Sequence, residues 1–480
     1  MTRSPEHNAL AVRELPSARE PLVAFERLRA GDSPWLLDSA LRLPRLGRFS
    51  FAGADPWLVL RARGERVEAD CRRAVRPGIP VGRRALRGDF FELARALLPR
   101  LSLDTEPQLP FVGGAVGYLG YELAERLERL DLGGDDDLGL PDAVLLYVDR
   151  LLVWDHERDR AWALALGCAE RPDRAREAAE RSVDSLCRRL ESEPAPPSAR
   201  RRRVSAPPFA HFDEGRYAKA VDRVKEEIAA GNLYQANLTH RMERDFAGDP
   251  WSLYRSLRRI NPAPFACFLE LPEVCIVGSS PELFLRVGVD GRVESRPIKG
   301  TRRRGRHASE DAALRADLAA SEKDRAENLM IVDLMRNDLG RVCETGSVAA
   351  PELMRIEEYA SVFQLVSAVT GRLRADCDVF DLLRATFPPG SMTGAPKIAA
   401  MQLLGRLEPV RRGVYSGALG YLDARGGADL SVVIRTLLVC EGRAHMHAGG
   451  AIVADSDPRD EWRETLDKAA PLRAALDATT

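Results

Sequence analysis

Lysine is scarce in this chain of 480 residues. Six of its 71 basic residues are Lys, and the others are Arg; the six are Lys219, Lys225, Lys299, Lys323, Lys397 and Lys468. Only Lys can lose its proton and act as a nucleophile or base, whereas Arg stays charged. The Lys of RPIKGTRRRG (296–305) is therefore a candidate for chemistry. For Lys219, Lys225 and Lys323, which lie in charged helical stretches, chance retention is an equal alternative.

Paired cysteines and long apolar runs are also missing. The eight Cys occur singly, without a Cys-x-x-Cys, so the sequence predicts neither a zinc site nor a disulfide framework and fits a reducing compartment. The most apolar stretch, AVLLYVDRLLVW (143–154), is broken by Asp149 and Arg150, and the N-terminus lacks the apolar run of a signal peptide. We therefore expect a cytoplasmic protein that spans no membrane.

Net charge is close to zero, at −1, so no bulk field attracts nucleic acid or an anionic membrane. Residues 191–209, ESEPAPPSARRRRVSAPPF, are rich in Pro, Ser and Arg and lack an apolar period, which predicts a linker. The run from Arg200 to Arg203 has no interleaved aromatics, and we expect no nucleic-acid partner. The chain is thereby divided into an N-terminal portion (1–190) and a C-terminal portion (210–476).

The apolar patterns alternate between strands and helices. Short strand-like runs joined by turns precede the linker and recur after it. The patterns predict helices over 172–190, 214–230, 307–340 and 458–476. Hydrophobic content of 45% is enough for a sizeable core. Successive strands with short connections predict an α+β fold with antiparallel sheets and helices outside.

Two pairs of acids are three residues apart on predicted helices. Asp324 and Glu327 form one pair, and Glu461 and Glu464 form the other. Residues at this spacing share a helical face, and two such faces could converge on Mg²⁺, which prefers oxygen ligands. Acids near a helix start are more often a solvated face, so spacing alone favours that second interpretation.

Three Gly-rich segments could present backbone N–H groups to an anion: GGAVGYLG (113–120), PPGSMTGAPK (388–397) and AGGAIVADSDP (448–458). None is a Walker A loop or a dinucleotide fingerprint, and tight turns are the commoner explanation. Arg435 and Lys468 could each bind a carboxylate or phosphate. Together these features indicate a small polyanionic ligand.

The motifs taken together resemble the chorismate-utilising enzyme family. They keep the family's order over about 230–470, and the matching stretches are LYQANLTHR (233–241), SSPELFLR (279–286), RPIKGTRRRG (296–305), AENLMIVDLMRNDLGRV (326–342), FPPGSMTGAPK (387–397), YSGALGY (415–421), VVIRT (432–436) and GGAIVADSDPRDEWRETLDKA (449–469). The resemblance implies a large two-sheet antiparallel β-sandwich with helices outside. Upstream, WLLDS (35–39) only loosely resembles the family's effector motif, which leaves tryptophan binding open.

Two positions distinguish the members of this family. Members that add water to chorismate carry a Lys base where this chain has Gln235, which cannot take a proton at neutral pH. In the P-I-x-G-T motif, anthranilate-forming members have Ala, whereas members that aminate C4 have Lys, as here at Lys299. The resemblance therefore implies formation of 4-amino-4-deoxychorismate for the folate route, with Lys299 in a covalent adduct at C2. Anthranilate formation is the alternative.

The resemblance also assigns roles to other residues. Glu282 matches the general acid, and Glu327 and Glu464 match the Mg²⁺ ligands, with Asp324 and Glu461 acting through waters. The substrate-binding residues implied in the same way are Arg435, Lys468, Gly449, Gly450, Tyr415, Thr393, Thr301 and Gln235.

Ammonia needs a source, and the chain contains no Gly-x-Cys-x-Gly nucleophile motif. The resemblance implies a separate glutamine amidotransferase subunit. The chain departs from the family at Gln364, where a His is common, and this leaves the role of that position open. A non-catalytic subunit that binds chorismate is an alternative of another class, and the presence of Glu282, Lys299 and the acid pairs argues against it.

Overall fold

A computed structural model describes residues 6–15, 20–43, 45–99, 101, 108–193, 209–359 and 362–479. Most of the predicted linker, 194–208, lies outside these residues. The described residues form the strands β1 (His7–Glu14), β2 (Trp35–Asp38), β3 (Phe49–Gly53), β4 (Leu58–Arg63), β5 (Arg66–Cys71), β6 (Gly82–Leu86), β7 (Gly114–Leu119), β8 (Ala143–Val148), β9 (Arg150–Asp155), β10 (Arg160–Ala169), β11 (Phe209–Ala210), β12 (Gln235–Asp245), β13 (Phe265–Glu270), β14 (Cys275–Ser280), β15 (Leu283–Val287), β16 (Arg292–Arg296), β17 (Ile298–Arg303), β18 (Ala349–Glu358), β19 (Val362–Arg372), β20 (Gly394–Ala395), β21 (Ala418–Asp423), β22 (Ala428–Val432), β23 (Thr436–Cys440) and β24 (Arg443–Ile452).

The helices of the same residues are α1 (Pro21–Leu28), α2 (Phe90–Leu97), α3 (Pro172–Glu191), α4 (Glu214–Ala229), α5 (Pro250–Ile260), α6 (Ala308–Ala320), α7 (Glu322–Gly340), α8 (Val379–Thr386), α9 (Lys397–Leu407) and α10 (Pro458–Asp477). Two short 3₁₀ helices cover Tyr121–Arg126 and Gly390–Met392. Among these helices, none combines the length and the apolar character that crossing a membrane requires.

The strands form two antiparallel sheets, which confirms the predicted α+β sandwich. The first sheet has the order β1-β10-β9-β3-β2-β13-β14-β23-β24-β12-β11, with β20 also paired to β12. The second has the order β17-β19-β16-β15-β22-β21-β7-β8-β4-β5-β6, with β18 paired to β19. Strands from before and after the predicted linker enter both sheets. The predicted division into 1–190, 191–209 and 210–476 stays a prediction.

Strand β8 shows why its sequence is a continuous apolar run and not an alternating one. All six residues of AVLLYV are buried. Val144 and Leu146 pack between the two sheets, in a cluster that includes Leu269 and Ile276 of the first sheet. The alternate residues of β8 pack against α2 on the outer face. A strand that is covered on both faces has no polar face, so its pattern has no period of two.

One predicted helix is corrected. The pattern over 307–340 reads as one helix, but the structure has α6 and α7, which are separated at Ser321. Ser321 has extended backbone angles, and its hydroxyl accepts a hydrogen bond from the amide of Asp324 at 3.3 Å. This N-cap begins a new helix at the point where Asp324 and Glu327 project.

Candidate active site

Two crossovers between the sheets meet at one place and hold Glu282. The chain passes from the first to the second sheet between β14 and β15, and it returns between β22 and β23. The amide of Val432 donates to the carbonyl of Glu282 at 3.0 Å, and the hydroxyl of Ser280 donates to the carbonyl of Val432 at 2.6 Å. The glutamate is therefore fixed by backbone from both crossovers.

The Glu282 carboxyl is buried, with 5% of the residue exposed. Burial raises its pKa to about 7, and this is opposed by the hydroxyl of Ser391 and by the charges of Lys299 and Lys468. Because an ordinary glutamate titrates near pH 4.3, this one keeps its proton up to neutral pH. It can therefore donate a proton to a leaving group.

Lys299 lies on a bulge at the edge of the second sheet. In the pairing of β17 with β19, Ile298 faces Val366 and Thr301 faces Gln364, so Lys299 and Gly300 fall in a register shift. Gly300 has φ +86°, and a Cβ built there would lie 2.9 Å from the side chain of Asp324. Glycine therefore lets the bulge approach α7 closely.

The charge of Lys299 acts on three carboxylates, of which Glu282 is buried, Glu327 is half-buried and Glu464 is exposed. It lowers the pKa of Glu282, and it opposes the burial that raises the pKa of Glu327. Burial would also raise the pKa of Glu464, but Lys468, Lys323 and Lys299 hold it below its ordinary value. The structure thus brings Lys299 together with the predicted acid and with both predicted direct metal ligands.

The two helices that carry the acid pairs differ in their partners. Glu461 on α10 is 3% exposed; it accepts a hydrogen bond from Ser456 at 2.6 Å, and Lys323 pairs with it at 3.3 Å. Asp324 on α7 is paired with Arg302 at 3.0 Å. Three of the four predicted metal residues therefore gather around lysine charges, whereas the fourth is held by an arginine.

Two of the predicted metal residues offer oxygen donors of the kind that a hard divalent cation prefers. A Cβ at Gly450 would lie 2.7 Å from Oε2 of Glu461 and 3.9 Å from Oε1 of Glu464, so the two carboxylates converge over this glycine. Glu327 belongs to the same electrostatic group, because the charge of Glu464 raises its pKa. Carboxylates with room for water are the usual surroundings of Mg²⁺.

Gln235 is the first residue of β12 and is fully buried. Neither atom of its side-chain amide has a hydrogen-bond partner in the described part of the chain. Such a group costs about 1–3 kcal/mol when it stays unpaired. A side chain in this state suits contact with a polar ligand. Thr393 lies close to β12, because its carbonyl accepts from the amide of Asn237 at 2.9 Å.

The predicted carboxylate clamp contains two cations. Lys468 donates to the carbonyl of Gly449 at 2.8 Å and pairs with Glu464 at 2.5 Å. Arg435 is half-buried in a left-handed conformation (φ +51°), and its guanidinium makes no ion pair within the described residues. Burial lowers its pKa. Tyr415 is stacked on His447, with ring centroids 4.8 Å apart.

Thr301, one of the predicted substrate-binding residues, is exposed. Its partner across the ladder, Gln364, is buried, and the Oε1 atom of Gln364 has no hydrogen bond in the part of the chain that the structure describes. An amide at this position cannot exchange a proton at neutral pH, so an acid–base role there is excluded.

Sequence reasoning missed Arg412. It is 2% exposed, and its guanidinium donates to the carbonyls of Met392 and Asn237, each at 2.7 Å, and to the Glu408 carboxylate at 2.8 Å. Its Cζ lies 4.4 Å from the ring of Tyr121. It thereby joins the loop of Thr393 to the strand of Gln235. In a chain this rich in Arg, no sequence signal marks it.

Two other Lys make contacts to which sequence reasoning assigned no role. Lys397 donates to the Asp338 carboxylate at 2.7 Å and to the carbonyls of Thr386 and Pro388 at 2.8 and 3.1 Å, which fixes the loop 387–393. Lys225 donates to the carbonyl of Ser456 at 2.6 Å, just before α10. Both therefore hold loops that lead to site residues.

A separate cavity of about 1040 Å³ lies between the sheets, away from these residues. Its lining includes Leu37, Asp38 and Ser39 of the WLLDS stretch, and none of the predicted catalytic or metal residues. The Asp38 carboxylate already binds Tyr254 at 2.8 Å and Arg258 at 2.6 Å. The volume of a cavity alone therefore does not identify the candidate active site.

Comparison with known proteins gives a family. The profile of one family, described as chorismate binding enzyme, matches residues 52–474. The chain is 46% identical over 482 residues to aminodeoxychorismate synthase of Streptomyces pristinaespiralis, with 97% of this chain and 65% of that protein covered. It is 40% identical over 442 residues to aminodeoxychorismate synthase component 1 of Klebsiella aerogenes, with 91% and 92% covered. The chain thus spans about two-thirds of the Streptomyces relative's length.

Comparison with a solved structure supports the same family. The fold matches anthranilate synthase component I from Streptococcus pneumoniae TIGR4 with a TM-score of 0.76 and 32% identity, over 90% of this chain and 93% of that one. The family that the motifs predicted is confirmed. This chain belongs to the chorismate binding enzyme family.

Proposed function

We propose that the chain aminates chorismate at C4 to give 4-amino-4-deoxychorismate, a transferase reaction on the route to 4-aminobenzoate and folate. The observation that carries the proposal is the position of Lys299, on a glycine-backed bulge where its charge acts on the buried acid Glu282. The names of the Streptomyces and Klebsiella relatives support the same reaction.

In the first step, neutral Lys299 attacks C2 of chorismate through Nζ. The two ring double bonds shift, and the C4–O bond breaks. Hydroxide is a poor leaving group, so Glu282 transfers its proton and water departs. The pKa of Glu282, about 7, keeps that proton available at neutral pH. The product of this step is a secondary ammonium adduct at C2, and Glu282 is left as a carboxylate.

In the second step, ammonia adds at C4 and the double bonds shift back. The bond between C2 and Lys299 breaks, and its electron pair returns to Nζ, which leaves Lys299 neutral again. The new C4 ammonium gives a proton to Glu282, which restores the acid. The net change is chorismate plus ammonia to 4-amino-4-deoxychorismate plus water, and two displacements place the amine at C4.

Substrate binding uses the cations of the clamp. Arg435 and Lys468 would hold carboxylates of chorismate, with Gly449 and Gly450 allowing close approach of the backbone. The buried amide of Gln235 would donate to or accept from the ring substituents. Mg²⁺, bound by the acids of α7 and α10, would fix the ring carboxylate and draw charge from the ring.

Two rival reactions belong to the same family. Addition of water at C2 needs a base near β12, and Gln235 cannot supply one. Anthranilate formation remains the nearest rival, because the S. pneumoniae structure that this fold matches carries that name. An amine nucleophile at position 299 is the feature that favours C4 amination over it.

Ammonia is proposed to come from a separate glutamine amidotransferase subunit. The designation component 1 in the name of the Klebsiella relative, which this chain covers almost fully, supports a partner.

Product identity tests the proposal. The purified chain would be incubated with chorismate, Mg²⁺ and excess ammonium, and the products would be identified by chromatography and mass spectrometry. Lys299→Ala and Lys299→Arg would be run beside Lys219→Ala, which removes an exposed Lys from α4. We expect 4-amino-4-deoxychorismate from the parent and the Lys219 variant and greatly reduced formation from both Lys299 variants, since Arg cannot deprotonate.

Anthranilate as the product would assign the chain to the rival reaction. Full activity of Lys299→Ala would remove the covalent step. Chorismate left unchanged, even after a glutamine amidotransferase is added, would favour a non-catalytic binding role.

A further inference from the structure

Lys323 lies among the same carboxylates that are proposed to bind Mg²⁺. Its ammonium is 3.3 Å from Glu461, and the charges of Glu461, Glu327 and Glu464 all act on it. The ammonium is a compact point charge on a flexible stem, in contrast to the planar fork of Arg. A small cation and this ammonium would therefore compete for the same carboxylate oxygens.

The side chain of Lys323 can leave without opening the core. It is 48% exposed and lies in the first turn of α7, immediately after the break at Ser321. The next residue, Asp324, is paired with Arg302 at 3.0 Å. The helix end is therefore held by other contacts, and movement of the Lys323 stem into solvent changes only its own rotamers.

The buried carboxylate of Glu461 needs a positive counter-charge, whether Lys323 or a metal ion supplies it. The residue is 3% exposed, and its Oε1 atom accepts from Ser456 and Lys323, while Oε2 points over Gly450 towards the position that Glu464 also reaches. A buried carboxylate without a compensating charge is strongly unfavourable. Two cations within a few ångströms in this partly buried setting repel each other.

We propose that Lys323 is a displaceable counter-ion that competes with the divalent cation for Glu461. The inference rests on the proposed metal ligands of the preceding section. Binding of the cation releases Lys323 into solvent, and dissociation of the cation draws it back. The competition keeps Glu461 compensated at all times and weakens the affinity of the site for Mg²⁺.

Chemical labelling of amines tests the exchange directly, because six Lys can be followed one by one in digests by mass spectrometry. The parent would be acetylated briefly with and without Mg²⁺, with Mg²⁺ binding followed in parallel by calorimetry. We expect the labelling rate of Lys323 to rise severalfold with Mg²⁺, while that of exposed Lys219 stays constant. In Glu464→Gln, which lacks a proposed direct ligand, the rise should disappear.

The affinity for the metal provides a second, independent readout. Lys323→Met removes the competitor, and Lys219→Met removes an equal charge from an exposed position on α4. We expect Lys323→Met to bind Mg²⁺ about two- to fivefold more tightly, the change expected for one half-exposed ion pair, and Lys219→Met to match the parent.

Each contrary result has its own meaning. Mg²⁺ binding with unchanged or slower labelling of Lys323 overturns the exchange and leaves the proposed ligands intact. Weaker binding by Lys323→Met overturns the competition and makes Lys323 a structural support of the site. Absence of any Mg²⁺ binding overturns both this inference and the proposed metal, whereas the product assay with Lys299 variants tests the reaction separately.

Discussion

The two sides of the proposed site are built differently. On the substrate-binding side, Gly449 and Gly450 lie in β24 against β12, and a Cβ at Gly449 would lie 2.4 Å from the carbonyl of Leu238. Fully buried Arg412 joins that side to the loop of Thr393. The parts of this side are fixed by backbone contacts and by a buried charge network.

The side of the proposed nucleophile is an edge strand with a bulge, and ion pairs at the protein surface contribute to holding it. Lys299 lies in the bulge, and the strand continues through Arg303, which is 56% exposed and pairs with Glu310. Exposed pairs stabilise little, and weakly held edges open more easily than cores. The comparison teaches that the residues proposed to bind the substrate belong to the more rigid half, whereas the proposed nucleophile, Lys299, is on the more deformable half.

The largest effect is expected from removal of the proposed proton donor, Glu282, which lies between the two halves. Glu282→Gln keeps the shape of the side chain but cannot protonate the leaving hydroxide, so turnover should fall by about 10²–10⁴-fold. Steady-state kinetics with chorismate and ammonium measure this. A smaller loss than tenfold would mean that another group supplies the proton.

The pH dependence of the same variant tests whether the protonated form of Glu282 is the active one. The pKa of Glu282, about 7, means that its proton is lost as the pH rises above neutrality. The ratio of the parent's rate to that of Glu282→Gln should therefore fall as the pH rises through about 7, because only the parent loses a proton donor. A ratio that stays constant over this range would contradict the proposed acid.

The rigid half is tested by Arg412→Met. The substitution leaves Glu408 buried without its counter-charge, and we expect the free energy of unfolding to fall by about 3–5 kcal/mol. Urea denaturation followed by Trp fluorescence measures it. The double variant Arg412→Met/Glu408→Gln should recover part of the loss. If the double variant is less stable than the single one, the buried charge pair is not the source of the effect.

Sequence predicted the elements of the site better than their partners. The helix predicted over 458–476 is α10, Pro458–Asp477, which begins after the capping Asp457 and continues through Pro471. The predicted helix over 307–340 is divided by Ser321, whose hydroxyl caps Asp324. A Ser in an otherwise helical pattern can stay inside one helix or can cap the start of a new one, and the apolar pattern does not distinguish these two outcomes.

The acid pairs show the same limit. Asp324 and Glu461 are each the first acid of a pair with a spacing of three residues. Their ion-pair partners nevertheless differ, because Asp324 is paired with Arg302 and Glu461 with Lys323. These partners come from other segments, so only the folded chain determines them. Scarcity of Lys was the more informative signal, since it marked Lys299 and Lys468 as well as Lys323, for which the chance interpretation had equal weight.

The deformable half is tested by Gly300→Ala, with Gly231→Ala as its matched control. Both glycines have positive φ, +86° and +78°, but only Gly300 faces a close neighbour, the Asp324 side chain at 2.9 Å. Both variants should lose about 1–3 kcal/mol of stability from backbone strain. Only Gly300→Ala should also lose turnover, by about 10²-fold, because the bulge moves Lys299 away from its partners. Equal activities of the two variants would mean that the bulge tolerates the shift.

The smallest effect is expected at the exposed pair of Arg303 and Glu310. Arg303→Met should change the free energy of unfolding by about 0–1 kcal/mol, because the pair is screened by water and ions. The difference from the parent should shrink further in high salt, since screening weakens exposed charges first. Urea denaturation at two salt concentrations measures both points. A loss as large as that of Arg412→Met, unaffected by salt, would show that the edge strand is held as firmly as the buried half, and the contrast between the two sides would not hold.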